Sequence, residues 1–210
     1  MISREDQDYI ISLVKEFLPS ILEKVGFDPT VKEPGHSYGE KVEEVLASKL
    51  IKRDSRFALP VTKKGKGKQT RKMQDLTFDD YFVNIKFGYK KNGQPNMCAF
   101  NRLVDKICES ELDSYWILSI DAFDNKISLF NLYDQLGFTN TNIGTGQTML
   151  CEKKFYEYFE QHIDYTKSRK DVIIKLKQID EIAVKAHIQL KLKQQQERFK
   201  KYERELSKLQ

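Results

Sequence analysis

The chain reads as an α/β protein: a central mixed β-sheet flanked by helices, with one long helix at the C-terminal end. Three observations lead there. Apolar residues change period along the chain in the order helix, strand, strand, helix, strand, strand, which suits a mixed sheet between helical layers. Residues 81–87 alternate, so that Val83, Ile85 and Phe87 share one face while Asn84 and Lys86 share the other. From Ser168 to Gln210 there is neither glycine nor proline, and the residues are strong helix formers.

Each element has a local reason. Ser3 with Asp6 three residues on forms a helix-start box, and Ile10, Val14, Phe17, Leu18 and Ile21 follow at helical spacing, with Pro19 marking a kink or break. Phe27 to Gly35, with Pro29 and Pro34, is a linker. Ser37 and Glu40 form a second capping box opening a helix to about Ile51, whose buried stripe is Val42, Val45, Leu46 and Leu50. Asp75 to Phe78 and Tyr81 to Phe87 are two strands joined at the acidic turn Asp79-Asp80. An Asn92-Gly93 turn signal precedes a helix from Met97 to about Ser110, capped by Asn96 and burying Phe100, Leu103, Val104 and Ile107. Tyr115 to Ile120 and Lys126 to Leu132 are strands turned at Asp124-Asn125. Gly137 to Gly146 is loop, and Phe155, Tyr156, Tyr158 and Phe159 mark a short aromatic helix belonging to the core.

In the long C-terminal helix Val172, Leu176, Ile179, Ala183, Ala186 and Leu190 repeat by four and three. The phase then slips, and Phe199, Tyr202, Leu206 and Leu209 resume the spacing. This helix is either a seam, packing on its own domain or on a second subunit, or a basic arm on DNA. The expected division is 1–166 for the main domain, with a core at about 37–133, and 167–210 for the helical appendage.

Composition narrows the function. At 210 residues the chain holds one domain with an appendage. No apolar run approaches a membrane span and the N-terminal residues are acidic and polar, so a cytoplasmic protein without a membrane partner is expected. Cys98, Cys108 and Cys151 are widely spaced without a C-x-x-C pair, which points to reduced thiols and no zinc site. The net charge of +5 is uneven: residues 167–210 hold 13 Lys/Arg against 6 Asp/Glu, a local +7, and an anionic partner is implied. Gly144-Thr-Gly146-Gln147 lacks the preceding strand and following Gly-Lys-Ser/Thr of a phosphate cradle, so no nucleotide cofactor is expected.

The chemistry centres on Asp75, Asn84 and Lys86. An acid at the start of one strand, and an amide two residues before a lysine on the next, gather polar groups around one point. Magnesium takes oxygen ligands, which Asp75 and the Asn84 carbonyl can supply, and Lys86 can position or deprotonate a water and offset phosphate charge. Glu43 has Leu46, Ala47 and Leu50 as helical neighbours and leans toward the core, either as a third ligand or as a border glutamate paired with a lysine. Lys63, Lys64, Lys66, Lys68, Arg71 and Lys72 lie in a stretch without an acid that leads into Asp75. Such a run is either a solvated loop or a clamp on a DNA backbone, and its position favours the clamp. Lys90 and Lys91, just past the lysine strand, join it as candidate DNA contacts.

With Glu43 on a helix, then Asp75, then Asn84-Ile85-Lys86, then a helix and two strands, residues 37–133 resemble the PD-(D/E)xK nuclease superfamily, in particular small type II restriction endonucleases. The resemblance implies that Gly39 to Glu43 belong to the family's first core helix, that Asp75 is the metal-binding aspartate, that Lys86 is the catalytic lysine, and that double-stranded DNA is cut in magnesium at a short specific sequence. A palindromic site implies a homodimer. Two departures stand out: Asn84 replaces the usual second acid, and Gln74 replaces the proline before Asp75. A repair or junction-resolving nuclease of the same fold is one alternative, and a catalytically silent DNA-binding protein is another.

Overall fold

The computed structural model describes residues 1–28, 37–60, 75–88, 96–99, 103–104, 107–108, 114–122, 125–135, 140–142, 149–151 and 169–208. Helix α1 (Arg4–Val25) starts where Ser3 Oγ accepts the Asp6 amide at 3.1 Å. It ends at Gly26, whose φ of 67° is the left-handed conformation a helix stop requires. Pro19 does not break it. The proline sits on the exposed side, while Leu18 and Ile21 hold the buried stripe in place, so packing outweighs the lost amide bond. Helix α2 (Ser37–Arg53) buries Val42, Leu46 and Leu50, each fully.

Five strands form the main sheet in the order β1-β2-β3-β5-β6. They are β1 (Phe57–Ala58), β2 (Leu76–Phe78), β3 (Tyr81–Gly88), β5 (Trp116–Asp121) and β6 (Lys126–Asn131), with β4 (Asn96–Ala99) lying elsewhere. Strands β1, β2 and β3 pair antiparallel, β3 runs parallel to β5, and β5 is antiparallel to β6. The sheet is therefore mixed. Asp79 at φ 49° and Asn125 at φ 51° make the two hairpin turns, residue types that tolerate the left-handed region.

Each face of the sheet has its own core. Val83, Ile85 and Phe87 of β3, with Trp116, Leu118 and Ile120 of β5, pack against α1 and α2. Ile117 and Phe130 of the opposite face join Leu103, Ile107, Tyr115 and the first turns of the last helix, α4 (Arg169–Lys208), through Val172, Leu176 and Ile179. A short helix, α3 (Leu132–Gln135), follows β6 directly. At about 1.5–3 kcal/mol per buried aliphatic side chain, these two layers supply the main drive for folding. Arg56 ties α1 to the hairpin, pairing with Asp6 at 2.8 Å and Asp54 at 3.0 Å while its guanidinium lies over the Phe78 ring.

The structure corrects several readings. Asn96–Ala99 is a strand where a helix from Met97 was expected, because it finds a partner in β8 (Met149–Cys151). Helical conformation is seen at residues 103–104 and 107–108. Gly137 to Gly146 is not all loop: β7 (Asn140–Asn142) pairs with β8, giving a second sheet in the order β4-β8-β7. Among the described side chains of α4 the buried ones are Val172, Leu176 and Ile179, and Leu190 is exposed. The proposed aromatic helix and the Gly144–Gln147 segment lie outside the described residues. Among the described residues no helix is long and apolar enough to cross a membrane.

Candidate active site

Strand β2 is short, and its length shapes the site. It pairs with only the first residues of β3, Tyr81 to Val83, and the ladder closes where the Asp75 amide donates to the Val83 carbonyl at 3.1 Å. In a strand successive backbone groups point to alternate edges, so Ile85 and Phe87 turn theirs toward the side β2 has left. Among the described residues no strand pairs there, and side chains take its place. The Ile85 amide donates to Asp75 Oδ2 at 2.7 Å. The Phe87 amide donates to Glu43 Oε1 at 3.3 Å. The Ile85 carbonyl accepts from Lys86 Nζ at 2.8 Å. Two carboxylates and one ammonium are thereby docked along one stretch of strand edge.

Glu43 and Lys86 also meet directly, with Oε1 and Nζ 3.7 Å apart and side chains 20% and 18% exposed. Glu43 reaches this edge from α2, whose Val42, Leu46 and Leu50 are anchored on the apolar face of β3. Extending the β2–β3 register places Asp75 opposite Asn84, on the face that also carries Lys86. Asp75 and Lys86 thus belong to the face of the sheet opposite to the one on which α2 packs. Glu44, one position further along α2, is exposed and takes no part.

Burial pushes the Glu43 carboxyl up to about 7. The Lys86 ammonium pulls it down, the Asp75 charge raises it further, and the Phe87 amide and Glu40 contribute smaller opposed effects. Two acids in one half-buried place cannot ionise cheaply without positive charge beside them. Asn84 is 4% exposed and brings an amide into this region without a further negative charge. Among the described residues no three His, Cys, Asp or Glu side chains gather as a metal cluster. Two carboxylates and one amide, all oxygen donors, are the set in hand, and such donors suit a hard divalent cation.

Of the residues singled out in the sequence, Asp75, Glu43 and Lys86 are brought together and Asn84 lies beside them. Lys63, Lys64, Lys66, Lys68, Arg71, Lys72, Lys90 and Lys91 lie outside the described residues, as does the side chain of Ser37, the cap expected to hold Glu40. Lys86 is in register with Ser119 of β5, and Ser119 with Ser128 of β6, a polar row across the face otherwise occupied by Ile117 and Phe130. Both serines are buried, and Ser128 Oγ has no hydrogen-bond partner among the described residues. A serine inside each of two apolar strand sequences was the available signal.

Helix α2, the antiparallel β1-β2-β3 strands and the parallel β3–β5 pair make up the mixed sheet flanked by helices that the sequence predicts. No protein-family model matches the chain, and no curated protein matches it. Among solved structures, the chain is similar to the NlaIV restriction endonuclease, at 16% identity and a TM-score of 0.42. That similarity covers 71% of this chain and 66% of the other, so the chain spans slightly less than two thirds of that enzyme's length.

Proposed function

We propose that the protein is a magnesium-dependent type II restriction endonuclease that hydrolyses phosphodiester bonds of double-stranded DNA at a short specific sequence. The observation that carries this reading is the convergence of Asp75, Glu43 and Lys86 on the edge of β3 beyond its pairing with β2. Asp75, Glu43 and the Asn84 carbonyl would hold the cation. Magnesium bound there supplies a water of lowered pKa and positive charge against the phosphate.

The chain's own residues do the rest. Lys86, held through the Ile85 carbonyl and 3.7 Å from Glu43, would offset charge on the phosphate as an ammonium and, after releasing a proton to solvent, accept one from the attacking water at Nζ. Asp75 and Glu43 are oriented by backbone amides of β3, so they do not reorganise when substrate arrives. Lys63, Lys64, Lys66, Lys68, Arg71, Lys72, Lys90 and Lys91 flank this strand in sequence and are assigned to the DNA backbone, which they position without reading bases. Two copies acting together would read a palindromic site.

The test is incubation with long duplex DNA of known sequence in magnesium, with EDTA and Lys86→Ala as controls. Discrete fragments that vanish in both controls are expected; losing one positioned acid–base group costs about 10²–10⁴ in rate. Cutting confined to branched or mismatched DNA would transfer the site to a repair nuclease of the same fold. Binding without cutting would leave a silent DNA-binding protein, with the neutral Asn84 as the reason.

A further inference from the structure

We propose that the distal half of α4 pairs with the same segment of a second copy as a parallel, in-register two-stranded coiled coil. The inference does not rest on the nuclease reading and stands if that reading fails. It begins from a change of face. Val172, Leu176 and Ile179 bury one side of α4 on the chain's own domain. Ile188 follows Ile179 by nine residues, which at roughly 100° per residue is half a turn beyond two full turns. Ile188, Leu192, Gln195, Phe199, Tyr202 and Leu206 then recur by four and three along the opposite side, and Leu209 continues the spacing in the sequence.

The five large side chains of this second seam are between 53% and 61% exposed. A straight helix cannot turn that side to the surface that covers Ile179. The seam therefore needs another partner, and its own sequence fits it to itself. Leu192, Phe199 and Leu206 fall at one set of core positions and Ile188, Tyr202 and Leu209 at the other, a pattern that a second helix of the same sequence can fill knob into hole.

Polar positions select the orientation. In a parallel, in-register pair Gln195 faces its own counterpart, so the two amides bond to each other and mark the register. An antiparallel pair sets this core position against one of the other kind, which here is Leu192, Phe199 or Leu206, and leaves the amide without a partner. The flanking charges agree: Arg198 of each helix meets Glu203 of the other, twice by symmetry, and Lys191 meets the uncharged Gln196. Lys193, Lys200, Lys201 and Lys208 remain on the outer side, facing water.

Sedimentation of the full chain at micromolar concentration, without DNA or magnesium, reads the assembly directly. The expected mass is twice 24.7 kDa. Leu192→Glu with Leu206→Glu should return it to 24.7 kDa. Both positions are exposed in the single chain, and unchanged emission from the buried Trp116 would show that the domain is still folded. Gln195→Cys should cross-link under oxidation into a disulfide-bonded dimer absent from the wild type. A monomeric wild type overturns the proposal, as does a double variant that stays dimeric. A dimer that Gln195→Cys fails to cross-link overturns the parallel register. A monomer whose double variant loses DNA binding would give this side of the helix to DNA instead.

Discussion

Replacing Glu43 by glutamine should make the protein more stable at neutral and higher pH, although it removes an ion pair. The Glu43 carboxyl is held up to about 7 in the folded chain, from its ordinary 4.5. Below the lower value both folded and unfolded chains carry the proton, and the contribution to stability is complete. Between the two values the unfolded chain releases a proton that the folded chain retains, so stability falls as pH rises through this window and levels above about 7. At about 1.4 kcal/mol per tenfold change in proton affinity, the interval amounts to about 3 kcal/mol. Glutamine keeps an oxygen for the Phe87 amide and cannot ionise, so it should escape the loss. Urea unfolding followed by Trp116 emission, with EDTA present, should show the variant gaining on the wild type by up to about 3 kcal/mol between about pH 4.5 and about pH 8. Magnesium should restore the wild type at the upper pH and leave the variant little changed. A difference that stays constant across the window would refute the reasoning. It would mean that Lys86, 3.7 Å away, keeps Glu43 ionised throughout and that burial does not decide its charge.

Two further outcomes bear on the site and its support. Asn84→Asp adds the acid that the position lacks, and should lower the magnesium concentration needed for half-maximal cleavage while reducing stability in EDTA, because Asn84 is buried. A magnesium titration of cleavage that does not move would remove Asn84 from the ligand set. Leu46→Ala, at a fully buried position on α2, should cost about 2–5 kcal/mol in urea unfolding. A loss under about 1 kcal/mol would mean that α2, which carries Glu43, is not anchored on the sheet as described.

Much of the fold was legible because the signals were local. Ser3 and Asp6 start α1 within four residues of each other, the alternation in 81–87 sets the two faces of β3, and four-and-three spacing marks α4. The same locality explains the errors. Pro19 reads as a break, but whether an exposed proline ends a helix depends on what the buried stripe packs against. Asn96 to Ala99 reads as a cap and a helix start, yet becomes a strand through Met149–Cys151, about fifty residues away in sequence. A residue pair Phe57-Ala58 carries no strand pattern, and is a strand only because Phe78 and Thr77 stand beside it.

The candidate site divides in the same way. Asp75, Asn84 and Lys86 were visible as a set because two adjoining strands and one tight turn hold them, and strand geometry alone brings them near. Glu43 was visible only as a carboxylate leaning toward the core, since a helical pattern says which side a residue faces but not what it meets. Tertiary structure brought it to the Phe87 amide and Lys86, more than forty residues on, where among the described residues the β2–β3 ladder reaches no further than Asp75 and side chains meet the backbone groups of β3. Sequence by itself determined α1, α2, β2, β3, β5, β6 and α4 and the faces they bury, because their spacing is a local signal. Which charged groups share the edge of β3, and how far burial raises the Glu43 carboxyl, were decided by packing, because desolvation and hydrogen bonding depend on neighbours that no local pattern contains.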